Sequence, residues 1–435
     1  MNSKNSNNNG SSIGNGFAED GTDIKDTNKL VILNAHVVSP GSMDLLPVED
    51  MPLLDKPNQA IVVEDGVIKA VLPSTEAPSG SQWKVHDVKG ALVIPALTEC
   101  HTHAIFAGER AAEFHARIEG ETYHDQQKKG GINATVSATR YSTDESLLSN
   151  LKYWLGVFLR QGVTTVEVKS GYGLSHEQEI RLLSIINEVK QQQQQAFVEV
   201  APTYLGAHAV PKEAKSREDY IEEMVMKTMP VVRNEGLADF VDVFVASVAY
   251  TVEEADFIYN AAHGLGFSLK AHLWELEHDN SRKLLEKYPF VSVDHLEFAQ
   301  REDLEVVFDQ GTVPVLLPLT AWHLGYDIRR TYDLIKDLKG YFAISTDFNP
   351  GTSFSPSLWQ AITVAHIEFG LPIFELFFAS TVYGAKALGL NDRGAVLPGN
   401  KADLAVLTVP SLDWLGYLHG INPVDMVFKN GSPVQ

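Results

Sequence analysis

The stretch LVIPALTECHTHAIFAGER, residues 92–110, leads from an apolar segment into two histidines that are one residue apart. Short apolar runs recur through the central part of the chain and alternate with longer amphipathic stretches, a pattern typical of strand and helix units around a parallel sheet. Eight strand candidates begin near Leu92, Val163, Phe197, Phe240, Phe267, Val291, Val313 and Tyr341. Eight such units favour an α/β fold of the (β/α)8 TIM-barrel type over an open doubly wound sheet.

Both ends of the chain differ from this central pattern. Residues 1–28 are rich in Asn and Ser, so burial cannot offset the entropy of ordering them, and we predict a disordered tail. Short apolar runs separated by turn residues lie at 30–33, 60–63, 67–71, 403–407 and 424–428. They predict strands that meet in one small β-sandwich domain. The predicted domains are therefore the β domain, residues 29–91 and 389–435, and the barrel, residues 92–388.

Composition and charge exclude several classes of protein. The 435 residues include 35 Lys and Arg against 56 Asp and Glu, a formal net charge of −21. Binding to nucleic acid or to an anionic membrane needs clustered positive charge, so we expect neither partner. No apolar run reaches the roughly 18 residues that cross a bilayer, and the start lacks the pattern of a signal peptide. The single cysteine, Cys100, fits a reducing compartment, and we predict a cytoplasmic protein.

Polar residues that follow barrel strands are candidates for catalysis, because the carboxyl ends of the strands form the active-site rim of a TIM barrel. His101 and His103 follow the first strand candidate, and alternation along an extended chain points both imidazoles to the same side. His272, His295 and Asp347 close three later strand candidates. Imidazole nitrogens and a carboxylate are ligands that suit zinc or iron. The strand ends therefore predict a metal centre.

This prediction has alternatives at two places. His101 and His103 alone also fit a loop with two solvated imidazoles. Asp347 also fits the N-cap of a helix that begins after residues 349–351. A carboxylate buried at a barrel rim costs free energy unless it is paired or bound to a cation, which favours the metal.

Five longer motifs occur in the chain, at residues 95–110, 166–174, 205–211, 293–298 and 345–352. In that order they read PALTECHTHAIFAGER, VEVKSGYGL, LGAHAVP, VDHLEF and STDFNPGT. Together they resemble the imidazolonepropionases, histidine-degrading enzymes of the amidohydrolase superfamily. The resemblance extends over about residues 92–388, and several motifs in the right order are more specific than any one of them.

The resemblance implies one divalent ion, zinc or iron, held by His101, His103, His272 and Asp347. It implies that a metal-activated water opens the ring of a small anionic substrate, 4-imidazolone-5-propanoate, to give N-formimino-L-glutamate. Glu275, His295 and Asp347 are the implied catalytic residues, and a homodimer is the implied assembly. The implied substrate contacts are Arg110, Tyr123, Tyr172, His208, Glu275, Asn349, Gly351 and Thr352.

Two of these residues offer charge or hydrogen bonds near the first strand ends. Arg110 presents a planar fork that can bind the propionate carboxylate, although it also fits an ion pair with Glu109 or Glu113. In a chain of net charge −21, Arg110 and the metal are the expected positive charges of the pocket. His208 is a neutral or cationic donor, although a single histidine is also common as a satisfied core or surface group.

Tyr172 and Glu275 have similar pairs of interpretations. Tyr172 stands between Gly171 and Gly173, whose lack of side chains lets a loop approach a ligand closely, and the same residues fit an ordinary tight turn. Glu275 can accept a proton from the water or orient the imidazolone ring. It also fits the first turn of a helix, where the helix dipole favours an acid.

The remaining contacts concern the developing charge and the polar ends of the substrate. His295 is expected beside the attacking water, and His295 or His208 is expected to stabilise the oxyanion. Asn349 and the backbone of Gly351 and Thr352 are expected to hold polar ends of substrate and product. A turn with the sequence Asn-Pro-Gly also forms without a ligand.

The chain departs from the family pattern at Val245-Ala246, at residues 318–323 and near Gly130-Gly131-Ile132. None of these positions is a proposed ligand, but residues 318–323 can reshape the pocket wall. Lys169 stays outside the predicted site, since the resemblance is to a one-metal branch rather than to relatives in which a carboxylated lysine bridges two metals. The alternative functions are another cyclic amidase or an aryl deaminase of the superfamily, and a non-catalytic barrel that serves as a scaffold.

Overall fold

The computed structural model describes residues 28–120, 130–191 and 197–434. Their strands are β1 (Lys29–Pro40), β2 (Leu53–Glu64), β3 (Val67–Pro73), β4 (Lys84–Asp87), β5 (Leu92–Pro95), β6 (Leu97–Glu99), β7 (Val163–Lys169), β8 (Glu199–Ala207), β9 (Phe240–Val243), β10 (Ser268–Leu273), β11 (Phe290–His295), β12 (Val313–Leu316), β13 (Ala343–Ile344), β14 (Leu404–Leu407), β15 (Val424–Lys429) and β16 (Ser432–Pro433). The α-helices span Ala111–Ile118, Ile132–Tyr141, Asp144–Arg160, His176–Gln191, Arg217–Glu223, Met229–Asn234, Val252–Gly264, Arg282–Lys287, Arg301–Asp309, Pro318–Leu324, Arg329–Asp337, Leu358–Ile367, Ile373–Ser380, Val382–Lys386 and Asp413–Tyr417. None of these helices is long and apolar enough to cross a membrane.

Strands β6 to β13 pair side by side in chain order and run parallel. The first and last of them meet through side chains. Glu99 Oε1 accepts a hydrogen bond from the Thr346 backbone N–H at 3.1 Å, and Ser345 Oγ accepts one from the Cys100 N–H at 3.1 Å. An isolated bridge between Thr102 and Phe348 follows. The predicted TIM barrel is confirmed.

The strand that we predicted from Leu92 as the first barrel strand is divided between two sheets, and that prediction was wrong. Strand β5 (Leu92–Pro95) pairs with β1 and β14, outside the barrel, and the first barrel strand is β6 (Leu97–Glu99). The chain changes sheets at Ala96, whose N–H donates to Asp403 O at 2.9 Å. Pro95 has no N–H, and a proline marks a place where a ladder is interrupted. The other seven barrel strands begin within two residues of their predicted starts.

Both chain ends contribute to the second sheet, as predicted. Strand β1 pairs with β2 in antiparallel fashion and with β4 and β5 in parallel fashion. From the other end of the chain, β14 pairs with β5 on one side and with β15 on the other, and β15 pairs with β16. Ile32, Ile61, Val93 and Phe428 are buried together in the core of this sheet. The predicted tail, apart from Asn28, lies outside the described residues.

Candidate metal centre and active site

Four predicted ligands meet at one end of the barrel. His101 and His103 follow β6, His272 lies in β10, and Asp347 follows β13. The three histidines offer nitrogens that all lie within 4.8 Å of one another. Asp347 Oδ1 lies 3.5 Å from His101 Nε2 and 3.3 Å from His103 Nε2. His101 and His103 are 0% and 3% exposed, so the alternative of two solvated imidazoles is wrong.

The donor atoms of this cluster are left without protein partners. His101 Nε2, His272 Nε2 and Asp347 Oδ1 are buried and make no hydrogen bond to any residue of the described ranges. A buried polar atom without a partner costs about 1 to 3 kcal/mol, so several together need a compensating group. A divalent cation accepts electron pairs from imidazole nitrogens and from carboxylate oxygens. The residues present therefore fit zinc or iron.

Two buried aspartates hold the imidazoles from behind. Asp294 Oδ2 accepts a hydrogen bond from His101 Nδ1 at 2.6 Å, and Asp242 Oδ1 accepts one from His272 Nδ1 at 3.0 Å. These bonds place the proton on Nδ1 of each ring and leave the lone pair of Nε2 for a metal. Sequence analysis missed both aspartates. The available signal was a charged residue inside an otherwise apolar strand, as in the FVDVF run around Asp242.

Asp347 is held with one oxygen toward the histidines. Thr320 Oγ1 donates to Asp347 Oδ2 at 2.6 Å, which leaves Oδ1 on the side of the imidazoles. Although burial raises the pKa of Asp347, its contacts with His101 and His103 hold that pKa well below the usual range. The next helix begins at Leu358 and has another N-cap, so the interpretation of Asp347 as a cap is wrong.

A pocket opens over this centre, and all of the predicted substrate contacts that fall in the described ranges line it. Tyr123 lies outside those ranges. The lining residues are His103, Arg110, Ile132, Tyr172, His208, Phe244, His272, Glu275, His295, Asp347, Asn349, Gly351 and Thr352.

Glu275 and His295 form a buried acid and base pair on the pocket wall. His295 Nε2 lies 3.7 Å from Glu275 Oε2, and His295 Nδ1 lies 3.7 Å from Glu297 Oε1. Burial raises the pKa of Glu275 to about 7. Burial alone would lower the pKa of His295, but the two glutamates raise it to about 10. The backbone at His295 has φ +83°, a left-handed conformation that is rare outside glycine and frequent at functional sites.

Glu275 follows β10 in a bend rather than in a helix, so its interpretation as a helix first-turn acid is wrong. Glu275 lines the same pocket as His103 and His272.

His208 is a neutral imidazole whose single N–H is already engaged in a hydrogen bond to the backbone. Its Nδ1 donates to Gly171 O at 3.0 Å, and its ring stacks on that of His103 at a centroid distance of 5.0 Å. Burial, with His103 nearby, lowers the pKa of His208 to about 3. Its Nε2 is therefore an acceptor. Of the two residues that we expected to stabilise an oxyanion, only His295 carries a proton that it can donate.

The loop that carries Tyr172 is built around a carboxylate that sequence analysis missed. Glu179 Oε1 accepts hydrogen bonds from the backbone N–H groups of Gly173 and Leu174, both at 2.8 Å, and Glu179 Oε2 accepts one from Gly171 at 3.1 Å. A Cβ at Gly173 would lie 2.7 Å from the Glu179 nitrogen. The glycines therefore let the loop wrap the carboxylate, and this arrangement presents Tyr172 to the pocket.

Arg110 makes the ion pair with Glu113 that we gave as an alternative, and it also lines the pocket. Its Nε and Nη2 donate to Glu113 Oε2 at 3.0 and 2.6 Å. Its Nη1 lies against Gly351, where a Cβ would come within 2.3 Å of it. Glu113 thus orients the guanidinium, and the absence of a side chain at Gly351 gives it room.

The polar groups of the 349–352 turn are largely used within the turn. Asn349 Oδ1 accepts from the Gly351 and Thr352 N–H groups at 2.7 and 2.8 Å, and Asn349 Nδ2 donates to Asp347 O at 2.7 Å. Their direct role is to hold the backbone next to Asp347 and to shape the pocket.

Two of the departures from the family pattern, residues 318–323 and Val245-Ala246, lie at different places around the site. Residues 318–323 fall in the helix Pro318–Leu324, from which Trp322 and His323 line a separate outer cavity of about 660 Å³ beyond Arg110. Val245 donates its N–H to His272 O at 3.1 Å and so supports a ligand strand. Neither segment supplies one of the predicted ligands, but Thr320 of the first segment donates to Asp347 Oδ2.

Comparisons with known proteins agree with this geometry. A model of the amidohydrolase family matches residues 92–434. The imidazolonepropionase of Caldanaerobacter subterraneus subsp. tengcongensis is 37% identical over 406 residues, a match that covers 92% of this chain and 96% of that protein. The imidazolonepropionase of Haloarcula marismortui is 38% identical over 381 residues, which covers 86% of this chain and 89% of that protein.

Among solved structures, an adenosine deaminase from Xanthomonas campestris with bound zinc matches with a TM-score of 0.66 and 18% identity, over 93% of this chain and 92% of that chain. At this identity the likeness shows the fold alone. The two imidazolonepropionases are matched along most of their length, and their name is that of the family that the motifs resemble. The chain belongs to the amidohydrolase family and, within it, to the imidazolonepropionases.

Proposed function

We propose that this protein hydrolyses the ring of 4-imidazolone-5-propanoate to N-formimino-L-glutamate in histidine catabolism. The observation that carries the proposal is the buried set of unpaired ligand atoms on His101, His272 and Asp347, which lies beneath a pocket lined by Arg110. A metal site beside a fixed positive charge suits a small anion that contains a hydrolysable ring.

We propose that His101, His103, His272 and Asp347 would hold one divalent ion, zinc or iron. When bound, such an ion polarises a carbonyl group and lowers the pKa of coordinated water from 15.7 toward about 7. All four residues are buried, which favours strong electrostatic interaction with a cation.

The surroundings favour one ion rather than two. A second group of possible ligands, His101, Glu167 and Asp294, lies within the barrel. Lys270 Nζ lies 3.8 Å from Glu167 Oε1 and 3.5 Å from Asp294 Oδ2, and Lys169 Nζ lies 3.8 Å from Asp294 Oδ2. Burial alone would lower the pKa of Lys169, but the surrounding carboxylates raise it above the usual range. Ammonium groups therefore supply the positive charge that a second cation would bring.

The chain's own residues divide the proton transfers between them. Glu275 is ionised above its pKa of about 7 and can then accept a proton from the attacking water. His295, with a pKa of about 10, is protonated and can donate to the oxygen that develops negative charge on the ring carbonyl. The bond between the carbonyl carbon and the ring nitrogen breaks, the water oxygen remains in the new carboxylate, and a proton passes to the nitrogen.

Arg110 is proposed to bind the propionate carboxylate. Replacing Arg110 by alanine is expected to raise KM about 10- to 100-fold, since a hydrogen bond to a charged group contributes about 1.5 to 3 kcal/mol. Metal content is expected to stay unchanged, because Arg110 is not among the ligands. Steady-state kinetics together with metal analysis of the same sample checks both expectations.

A second variant tests the same assignment without removing the charge. Gly351→Ala is expected to push the guanidinium away and raise KM, because the new Cβ would meet Arg110 Nη1. Gly264→Ala is the matched control, since a Cβ at Gly264 meets nothing within 4 Å. Full kcat/KM in Arg110→Ala would mean that another group binds the carboxylate.

The proposed activity is tested by adding 4-imidazolone-5-propanoate to the purified protein and following the loss of its ultraviolet absorbance. N-formimino-L-glutamate is the expected product. No ring opening, together with release of ammonia from an amino-substituted heterocycle assayed in parallel, would instead indicate a deaminase. The absence of turnover of either compound by metal-loaded protein would favour a scaffold.

Two further proposals are a homodimeric state, which rests on the family resemblance, and a cytoplasmic location, which rests on the single cysteine. Sedimentation of the purified protein at micromolar concentration tests the first of them.

A further inference from the structure

A closed set of charged and polar side chains lies inside the barrel, beneath the ligand histidines. We call it the barrel charge network, and its members are Glu167, Lys169, Asp242, Lys270, Ser292 and Asp294. Each is 0% exposed. Three carboxylates and two ammonium groups in such a place carry a large desolvation cost, which close pairing must offset.

One arm of the network ends on His272. Lys169 Nζ donates to Asp242 Oδ2 at 2.7 Å and to Glu167 Oε1 at 2.9 Å. The other oxygen of Asp242 accepts from His272 Nδ1 at 3.0 Å. The carboxylate of Asp242 is therefore held between an ammonium group on one side and an imidazole on the other.

The second arm ends on His101. Lys270 Nζ donates to Ser292 Oγ at 2.6 Å, and Ser292 Oγ donates to Asp294 Oδ1 at 2.7 Å. Asp294 Oδ2 accepts from His101 Nδ1 at 2.6 Å. Glu167 Oε1 lies near both ammonium groups, at 2.9 Å from Lys169 and 3.8 Å from Lys270, and so joins the arms.

We propose that Lys169 is a positioning residue that raises the affinity of the centre for a metal, because its hydrogen bond to Asp242 Oδ2 keeps Asp242 Oδ1 oriented toward His272 Nδ1. This inference rests on the metal centre of the proposed function. Without Lys169, Asp242 and Glu167 would be two buried carboxylates that share a site without their bridging cation. Asp242 would also lose the hydrogen bond that fixes its Oδ2, so its Oδ1 could turn away from His272 Nδ1.

The hydrogen bonds of Lys169 also argue against a role as a carboxylated metal ligand. Its Nζ donates hydrogen bonds to two carboxylates, so it acts here as an ammonium group. A carboxylated lysine would place a further negative charge against them. Lys169 therefore acts on the metal through Asp242 and His272 rather than as a ligand.

The test is the affinity of the metal-free protein for cobalt(II) and zinc, measured by competition with a chromophoric chelator, with the visible spectrum of bound cobalt as a second readout. Lys169→Met is expected to lower the affinity about tenfold or more, as loss of a group behind a metal ligand commonly does. It is also expected to change the cobalt spectrum, because His272 is less firmly oriented.

Lys429→Met is the matched control. Lys429 is also a buried lysine and pairs with Asp403 at 2.6 Å, but it lies in the end sheet on β15. We expect it to lower the melting temperature while leaving the metal affinity and the cobalt spectrum unchanged. A merely structural role for Lys169 would give the same pattern as Lys429.

A second variant covers the case in which Lys169→Met does not fold. Lys169→Met with Glu167→Gln removes one charge of each sign and keeps Asp242, and we expect the same loss of affinity. Wild-type affinity in a folded Lys169 variant, single or double, would overturn this inference while the metal centre stands. A wild-type protein that binds neither metal would overturn the metal centre, and this inference with it.

Discussion

Asp347→Asn is expected to lower kcat/KM for 4-imidazolone-5-propanoate by about 10³-fold or more. Asp347 is the only anionic member of the proposed ligand set, and its Oδ1 lies 3.3 to 3.5 Å from two ligand nitrogens. Asparagine keeps the shape of the side chain but removes the charge. Loss of the stabilisation that a cation gives to a transition state amounts to several kcal/mol, and about 1.4 kcal/mol corresponds to a tenfold change in rate.

The same variant is expected to purify with much less than one equivalent of metal. Asp303→Asn is the matched control, because Asp303 is equally buried but serves as a helix-start residue, where its carboxylate accepts the Gln300 N–H at 2.9 Å. We expect Asp303→Asn to keep its metal and its turnover. Full metal content and kcat/KM in Asp347→Asn would remove Asp347 from the site.

The second large effect is expected at Glu275. Glu275→Gln should lower kcat by about 10²- to 10⁴-fold, the usual contribution of a positioned general base. Metal content should not change, because Glu275 is not a proposed ligand. Glu277→Gln, two residues further on and exposed, is the matched control and is expected to behave as wild type.

The pH dependence separates a base from a merely nearby carboxylate. Burial raises the pKa of Glu275 to about 7, so the group is protonated at low pH and gains its ability to accept a proton as pH rises through that value. The kcat of the wild type should therefore rise with pH through a limb near or below 7, since a bound cation favours the ionised form. This limb should be absent from Glu275→Gln. A limb that persists unchanged in the variant would assign the base to another residue.

The convergence of the four proposed ligands was predictable from sequence because strand ends in a barrel meet at one rim. His101, His103, His272 and Asp347 each follow or close an apolar run, and this position alone places them together. Asp242 and Asp294 were not predictable in the same way. Asp294 stands opposite His272 in the register of β10 and β11, yet it bonds to His101, which follows β6 and is 193 residues away in sequence. Such partners depend on the closure of the barrel.

The same reasoning explains the wrong first strand. An apolar run predicts a strand but does not say which sheet the strand joins. The change of sheet at Ala96 depends on Asp403, more than 300 residues away. Arg110 shows a similar limit, because the sequence left open whether it pairs with Glu109, with Glu113 or with the substrate, and gave no sign of its approach to Gly351. The sequence therefore predicts which residues lie together at the barrel rim. The hydrogen bonds and ion pairs that orient their side chains are known only from the tertiary structure.

We propose that one metal ion at the four-residue centre supports ring opening. The direct measurement is a titration of metal-free protein with zinc or iron(II), in which hydrolysis of 4-imidazolone-5-propanoate is recorded at each addition. We expect activity to rise in proportion to added metal and to reach its plateau at one equivalent per chain. Full activity in the metal-free protein, or a plateau only at two equivalents, would contradict it.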